Sequence, residues 1–437
     1  MAASTNASAR AVALELLIKA ERSEQFSNIA LDKALEKQTL SDADKRLTSA
    51  LFYGVIEKRI SLDYRISHLS SRPIGQMDSH TLCVLRLGIY QLAFMDKIPP
   101  HAAINETVEL CPRRTRGFVN AILRSYTRSA DMPLPDREND FIKYLSVKYS
   151  VAEPLCEKFV GVYGGERAES ILDAFCRQAP TTLRVNTQKA SVDDLISRID
   201  GAARGELSPH AIYARGAVRE LFGFDDGLFF VQDEASQLCV EALGACEGET
   251  VMDICACPGS KSFGAAINMK NKGRILAFDL HASKLSLVLK SAQRLGIDII
   301  NVSEQDGRIP LEKYFGAADR VLCDVPCSGF GVLSKKPELR YKDPKTSAAL
   351  PDIQLAILEN ACRYVKDGGT LVYSTCTVFP EENEQNVRRF LERHSDFSLT
   401  PFKAGALDVS EGYITLLPDK YPTDGFFIAK LTKGKQL

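Results

Sequence analysis

The sequence predicts an α/β protein: a doubly wound parallel sheet in the C-terminal half, preceded by an all-α bundle and a small α+β module. Three observations predict it. Apolar residues recur at helical spacing through roughly the first 130 residues. From Asp233 onward, strand-like apolar runs alternate with helical patterns. Between these regions the order reads strand, helix, strand, strand.

In the first region Ala9, Val12, Ala13, Leu16, Leu17 and Ala20 fall on one helix face. Ser41 with Asp44 resembles a capping box and opens a helix carrying Leu47, Leu51, Val55 and Ile56. Asp78 similarly precedes Leu82, Leu85, Ile89 and Leu92. Pro99-Pro100 breaks the chain before "HAAINETVEL", and "RGFVNAILRSYTR" is the last helix, so a helical domain is expected over 1–132. Pro133 and Pro135 mark the boundary. Residues 139–232 read as linker helices followed by "TTLRVNT", a helix opened by Ser191, "AIYAR" and "GLFFVQ". Residues 233–437 form the α/β domain, with strands in "ETVMDICA", "GRILAFDL", "DIINVSEQD", "ADRVLCDVP" and "GGTLVYSTC". "GYITLLP" and "GFFIAKL" add an antiparallel pair.

A chain of 437 residues exceeds one ordinary core, and 45% hydrophobic with 25% charged residues is usual for a soluble globular protein. No apolar run approaches the roughly 18 residues of a membrane span. Acids and bases are mixed from Ala9 on, which argues against a signal peptide, so a cytoplasmic monomer with no membrane partner is expected. The twelve cysteines should then be reduced, and the absence of any C-x-x-C pair predicts no metal site. Cys83, Cys239 and Cys362 sit at apolar helical positions and read as core residues. The net charge of −1 gives no global basic field. Locally, Arg113, Arg114, Arg116, Arg124 and Arg128 cluster without an intervening acid, and "SKKPELRYK" places Lys335, Lys336 and Arg340 in a second basic stretch.

Ligands of an open α/β sheet bind beyond the carboxyl ends of its strands. The first strand leads there into Cys255, Ala256, Cys257, Pro258, Gly259, Ser260 and Lys261. Later strands deliver Asp279, Asp306, Asp324 with Cys327, and Cys376. The Pro-Gly loop lets backbone amides approach a ligand, and Asp279 lies where an acid meets ribose hydroxyls. An adenosine-containing cofactor follows. G-x-G-x-x-G and the Walker pattern are both missing, which disfavours a dinucleotide or a nucleoside triphosphate. A carboxylate-lined pocket suits a phosphate-free cation, and S-adenosylmethionine meets both conditions.

These residues resemble the Sun-type RNA cytosine-5 methyltransferases. "CACPGSK", "DVPCSGFGVL" followed by "KKPELRY", "LVYSTCTVFPEEN", "FVQDEASQL" and "LLPDKYPTDGFF" are similar to five of that family's blocks, in order, over about 181–431. "FYGVIEKRISLDY", "LRLGIYQLAFMDKIPPHAAINETVEL" and "RGFVNAILR" resemble the NusB-type RNA-binding domain. The resemblance implies a Rossmann-like methyltransferase domain using S-adenosylmethionine, with small-subunit ribosomal RNA as substrate and partner. It assigns attack on cytosine to Cys376 and product release to Cys327. Thiol activation calls for nearby positive charge, which Lys261 offers, and Asp324 sharing a proton with the ring nitrogen is expected to stabilise the adduct. The D-V-P-C setting of Cys327 also resembles the nucleophile context of DNA cytosine-5 methyltransferases, which is the alternative assignment. Cys257, Ser260, Val325 and Phe330 depart from the family pattern, and the Ser260 side chain is expected to alter cofactor affinity. A second reading is an RNA-binding adaptor with an inactive catalytic domain, which a methyl-transfer assay distinguishes.

Overall fold

The computed structural model describes residues 8–23, 28–37, 40–129, 132–177 and 180–435. They fall into two compact units, 1–172 with 335–343, and 173–334 with 344–437.

The first unit is helical. Helices α1 (Ala9–Ser23), α2 (Asn28–Lys37), α3 (Asp42–Glu57), α4 (Arg59–Leu69), α5 (Ser79–Phe94), α6 (Pro100–Glu109) and α7 (Arg113–Arg128) precede α8 (Phe141–Tyr149), α9 (Glu153–Tyr163) and α10 (Gly165–Ala174). Ser41 caps α3 by accepting from the Asp44 amide, and Asp78 caps α5 by accepting from the Thr81 amide, as the sequence predicts. Leu51, Val84, Leu85, Leu87, Val119 and Leu123 are fully buried in its core. Inside that core Arg86 is held by Asp63 through two bonds of 2.6 and 2.8 Å, and by Glu21.

The second unit opens with a four-stranded antiparallel sheet of order β2-β3-β1-β4, built from β1 (Thr181–Val185), β2 (Ala203–Arg204), β3 (Ala211–Ala214) and β4 (Phe229–Val231). Helix α11 (Val192–Arg198), capped by Ser191, packs with it through a small core of Leu183, Val185, Leu195, Ile212 and Phe229. The two-residue strand β2 has no sequence signal: both of its residues are exposed and it is too short to show a period.

The rest of the unit is an α/β sheet. Its strands are β5 (Thr250–Asp253), β6 (Arg274–Asp279), β7 (Ile300–Glu304), β8 (Ala318–Asp324) and β9 (Val365–Thr375), then β10 (Phe397–Leu399), the hairpin β11 (Phe402–Ala404) and β12 (Leu407–Val409), β13 (Tyr413–Leu416) and β14 (Phe426–Lys433). The main order is β10-β14-β9-β8-β5-β6-β7, with β13 beside β14. Strands β9, β8, β5, β6 and β7 are parallel, while β14 adds antiparallel to β9. Helices α12 (Glu234–Leu243), α13 (Ser260–Asn268), α14 (Ala282–Leu295), α15 (Leu350–Ala361) and α16 (Glu384–Leu391) accompany it. From β5 the chain runs outward to β6 and β7 on one side and later to β8 and β9 on the other. That reversal makes the β5–β8 crevice the place where a ligand fits. Hydrophobic clusters on the two faces of the sheet bury its strands.

Candidate active site

Beyond β5 the chain turns through Cys255 to Gly259 into α13. Gly259 has φ +103°, and a Cβ there would stand 2.6 Å from the Phe263 ring and 3.0 Å from Val288, so the loop requires glycine. Ser260 is the half-buried first residue of α13. Asp279, at the end of β6, accepts the Cys257 amide at 3.1 Å and the His281 amide at 3.1 Å. Its carboxylate therefore pins the loop. Asp306 is gripped by Arg308 at 2.6–3.2 Å, and these hydrogen bonds hold its carboxyl below the usual range. Burial pushes the Cys255 thiol well up and the Cys257 thiol up to about 12, with Asp279 adding to the latter, so both remain neutral thiols.

One carboxylate escaped the sequence reading. Asp253 ends β5 and is buried, with Ser262 Oγ donating to it at 2.6 Å and its other oxygen without a partner. Burial, against the Ser262 bond, raises its pKa to about 7. The sign follows: the folded state keeps this proton up to about pH 7, whereas an unfolded Asp releases it near pH 4. Stability is therefore lost as pH rises through that window. Asp253→Asn is expected to gain on wild type across it, by at most about 1.4 kcal/mol per pH unit, and to run parallel above it. Urea unfolding of both proteins from pH 5 to pH 8 checks this.

Beyond β8, Asp324 accepts Lys261 Nζ at 2.7 Å on one oxygen and Ser374 Oγ at 2.7 Å on the other. Burial works against the Lys261 ammonium, but the charge and hydrogen bond of Asp324, together with the other acidic groups around it, hold the amine above its ordinary range. Lys261 also stands 5.1 Å over the Phe426 ring. Both groups are thus aimed before any ligand arrives.

Three residues past Asp324 stands Cys327, and immediately past β9 stands Cys376. Their sulfurs are 3.1 Å apart, and the Cys376 amide donates to Cys327 Sγ at 3.2 Å. Both residues are half-buried. The Cys376 carbonyl accepts from the Gly331 amide at 2.9 Å, so both backbone groups of Cys376 are held from the 327–331 loop. The hydrogen bond to Cys376, then burial and the charges of Cys376 and Glu382, push the Cys327 thiol well up.

Comparison with known proteins decides the family. A family model described as 16S rRNA methyltransferase RsmB/F matches residues 240–432, the NusB family matches 7–128, and an RsmF/B-like ferredoxin-like domain matches 154–218. The probable ribosomal RNA small subunit methyltransferase B of Bacillus subtilis is 37% identical, over 98% of this chain and 99% of its own. The chain belongs to the RsmB family. The methyltransferase B of an Escherichia coli O7:K1 strain is 33% identical over 91% of this chain and 92% of its own. Among solved structures, PH0851 matches with a TM-score of 0.78 and 29% identity, covering 97% of this chain and 98% of that one. The helical unit thus includes a NusB domain, and the antiparallel module is the family's ferredoxin-like domain.

The cofactor of this methyltransferase family is S-adenosylmethionine, and the residues at the crevice fit it. Asp279 and Asp306 offer carboxylate oxygens at the ends of β6 and β7, suited to hydroxyl and amino donors. The basic side chains there, Lys261 and Arg308, are each paired to a carboxylate, leaving no built cradle for phosphates. A cation such as a sulfonium meets a net-negative surround.

Of the residues expected to meet RNA, Arg113, Arg114, Arg116 and Arg124 are exposed on α7. Arg116 donates to the Cys111 carbonyl and Arg124 to Asn120, which leaves both guanidinium charges uncancelled by those partners. Lys335 and Lys336 are exposed as well. Arg340 requires a correction. It is 1% exposed, donates to the Tyr149 carbonyl at 2.8 Å, and approaches Glu57 at 3.9 Å. With its neighbour Tyr341, which bonds to the Ile56 and Glu57 carbonyls, it is a packing residue of the helical unit and is closed to phosphate. A basic run in sequence does not reveal which of its charges folding will bury. Among the described residues no group of three or more potential ligands could hold a metal, and no helix is long and apolar enough to cross a membrane.

Proposed function

We propose that this protein methylates carbon 5 of a cytosine in small-subunit ribosomal RNA, through a covalent adduct on Cys376. The single observation that carries the reading is the pair of cysteines 3.1 Å apart at the ends of adjacent strands β8 and β9, beside the Lys261–Asp324 pair. Loop residues 255–261 with Asp279, Asp306 and Asp324 hold the cofactor in this reading, and the names of the relatives supply the RNA class.

Carbon 5 of cytosine is a weak nucleophile. The Cys376 thiolate forms a bond to carbon 6, and the displaced electron pair enriches carbon 5. Bound S-adenosylmethionine supplies the electrophilic methyl group that carbon 5 takes. Asp324, braced by Lys261 and Ser374, shares a proton with the ring nitrogen, and that proton neutralises the negative charge that thiolate addition builds there. In the release step the carbon-5 proton leaves to a base, the carbon 6–sulfur bond breaks, the ring double bond reforms and Cys376 departs as thiolate. Cys327 serves this release. The "STC" ending of β9 at Cys376, similar to the family's block, supports the division of roles. The target base must leave its stack to reach the pair.

In this proposal residues 1–132 hold RNA, 139–232 assist, and 233–437 carry the chemistry. The α7 arginines neutralise phosphates, so Arg113→Ala with Arg114→Ala should flatten the salt dependence of RNA binding. The log–log slope is expected to fall by about 0.7–0.9 for each phosphate that is no longer neutralised. Arg340→Met should instead lower the unfolding midpoint and leave that slope unchanged, as filter binding at several salt concentrations would reveal. The function itself is tested by incubating the protein with labelled S-adenosylmethionine and unmethylated small-subunit RNA, then bisulfite sequencing. Label at one protected cytosine is expected, and label that resists any assignment to cytosine would overturn the reading.

A further inference from the structure

The segment after Cys376, "TVFPEENEQN", reads as polar and acidic, yet much of it is interior. Glu382 is 2% exposed and Asn383 and Asn386 are fully buried. One Glu382 oxygen accepts both the Ser328 amide at 2.9 Å and Gln354 Nε2 at 2.8 Å. The same Gln354 nitrogen donates to the Pro326 carbonyl at 3.0 Å, and Asn386 Nδ2 donates to Gln354 Oε1 at 3.1 Å. Tyr373 fixes the Glu382 backbone by donating to its carbonyl at 2.6 Å. The residues on either side of Cys327, Pro326 and Ser328, are therefore both hung on one buried Gln–Glu pair, and neither member of that pair reaches a sulfur in the hydrogen-bond network. Burying a carboxylate is costly, and packing alone would be served by an apolar residue. The arrangement is the kind that fixes geometry around a reacting group.

We infer that Glu382 and Gln354 are positioning residues that set where the Cys327 thiol stands against Cys376, and so govern release of the methylated RNA. This rests on the division of roles proposed above for the two cysteines. Because both donors meet one oxygen, a glutamine at 382 can accept both bonds, whereas alanine can accept neither. Gln354→Ala leaves the Glu382 charge in place, so an effect it shares with Glu382→Ala is one of geometry.

The test runs Glu382→Ala, Gln354→Ala, Glu382→Gln and Cys327→Ala in parallel with RNA and S-adenosylmethionine on denaturing gels. Alkylation of Cys327 is timed by peptide mass spectrometry in full-length wild type and in the three variants that keep this cysteine. The inference expects Glu382→Ala and Gln354→Ala to accumulate covalent RNA adduct as Cys327→Ala does, while Glu382→Gln restores release. It expects Cys327 to alkylate about tenfold faster in the two alanine variants, the factor one charge-assisted hydrogen bond is worth. In folded protein, a loss of overall rate with no adduct and an unchanged alkylation rate would overturn it, even with Cys327→Ala trapping RNA as expected. If Cys327→Ala itself traps nothing, the division of roles fails. The alkylation rates then decide alone: faster labelling supports the positioning role, and unchanged labelling overturns it. Gln354→Ala keeps the test open should Glu382→Ala not fold.

Discussion

Cys376→Ala is expected to lose methyl transfer by at least about a thousandfold, the scale on which removing an activated nucleophile acts, while its unfolding midpoint stays close to wild type. The two halves of that expectation have separate causes. Cys376 is half-buried at the end of β9, so removing one sulfur from a partly open position leaves no large cavity. Its backbone hydrogen bonds, the amide to Cys327 Sγ and the carbonyl to Gly331, do not depend on the side chain. Binding of S-adenosylmethionine should also survive, because the loop 255–261 and Asp279 lie on β5 and β6. A radiolabelled methyl-transfer assay, with calorimetric cofactor binding alongside, separates loss of chemistry from loss of structure.

The second large effect comes from backbone rather than chemistry. A Cβ on Gly331 would stand 1.9 Å from the Gly425 carbonyl oxygen and 2.8 Å from the Cys376 carbonyl oxygen. These are main-chain atoms, with no flexible side chain to swing aside. Gly331→Ala must therefore push the 327–331 loop off the strand-end loops. It would strain the Gly331–Cys376 bond and the 2.7 Å bond from the Gly425 amide to the Gly331 carbonyl. Displacing a reacting group by about 1 Å costs on the order of a hundredfold in rate, and overpacking adds about 1–3 kcal/mol of destabilisation. Gly161→Ala, in the last turn of α9 with open space around its Cβ position, should be neutral or slightly stabilising. Comparing kcat and unfolding midpoints of the two variants tests the argument.

How much of this was legible beforehand divides along a physical line. Periodicity placed the strands and so placed Asp279, Asp306, Asp324, Cys327 and Cys376 at one sheet edge, since strand ends in a parallel sheet are fixed by topology. The capping residues Ser41, Asp78 and Ser191 were legible because a cap is a local hydrogen bond. Asp253 was not, because a carboxylate at a strand end looks the same whether its partner is solvent or a buried serine. Glu382 and Gln354 were hidden for the same reason. A polar side chain carries no sequence signal of burial, and only tertiary packing buries these two. Arg340 was misread as an RNA-binding residue because its burial depends on helices α3 and α8, far away in the chain. The short strands β10, β11 and β12 have three residues each, too few to show an alternation.

The division of roles between two sulfurs 3.1 Å apart is the central claim, and mapping the adduct tests it most directly. Cys327→Ala would be incubated with RNA and S-adenosylmethionine, digested with nuclease and protease, and the peptide carrying a nucleotide identified by tandem mass spectrometry. A methylated cytidine on Cys376 is expected. A nucleotide on any other residue, or the absence of adduct in Cys327→Ala together with its presence in Cys376→Ala, would contradict it.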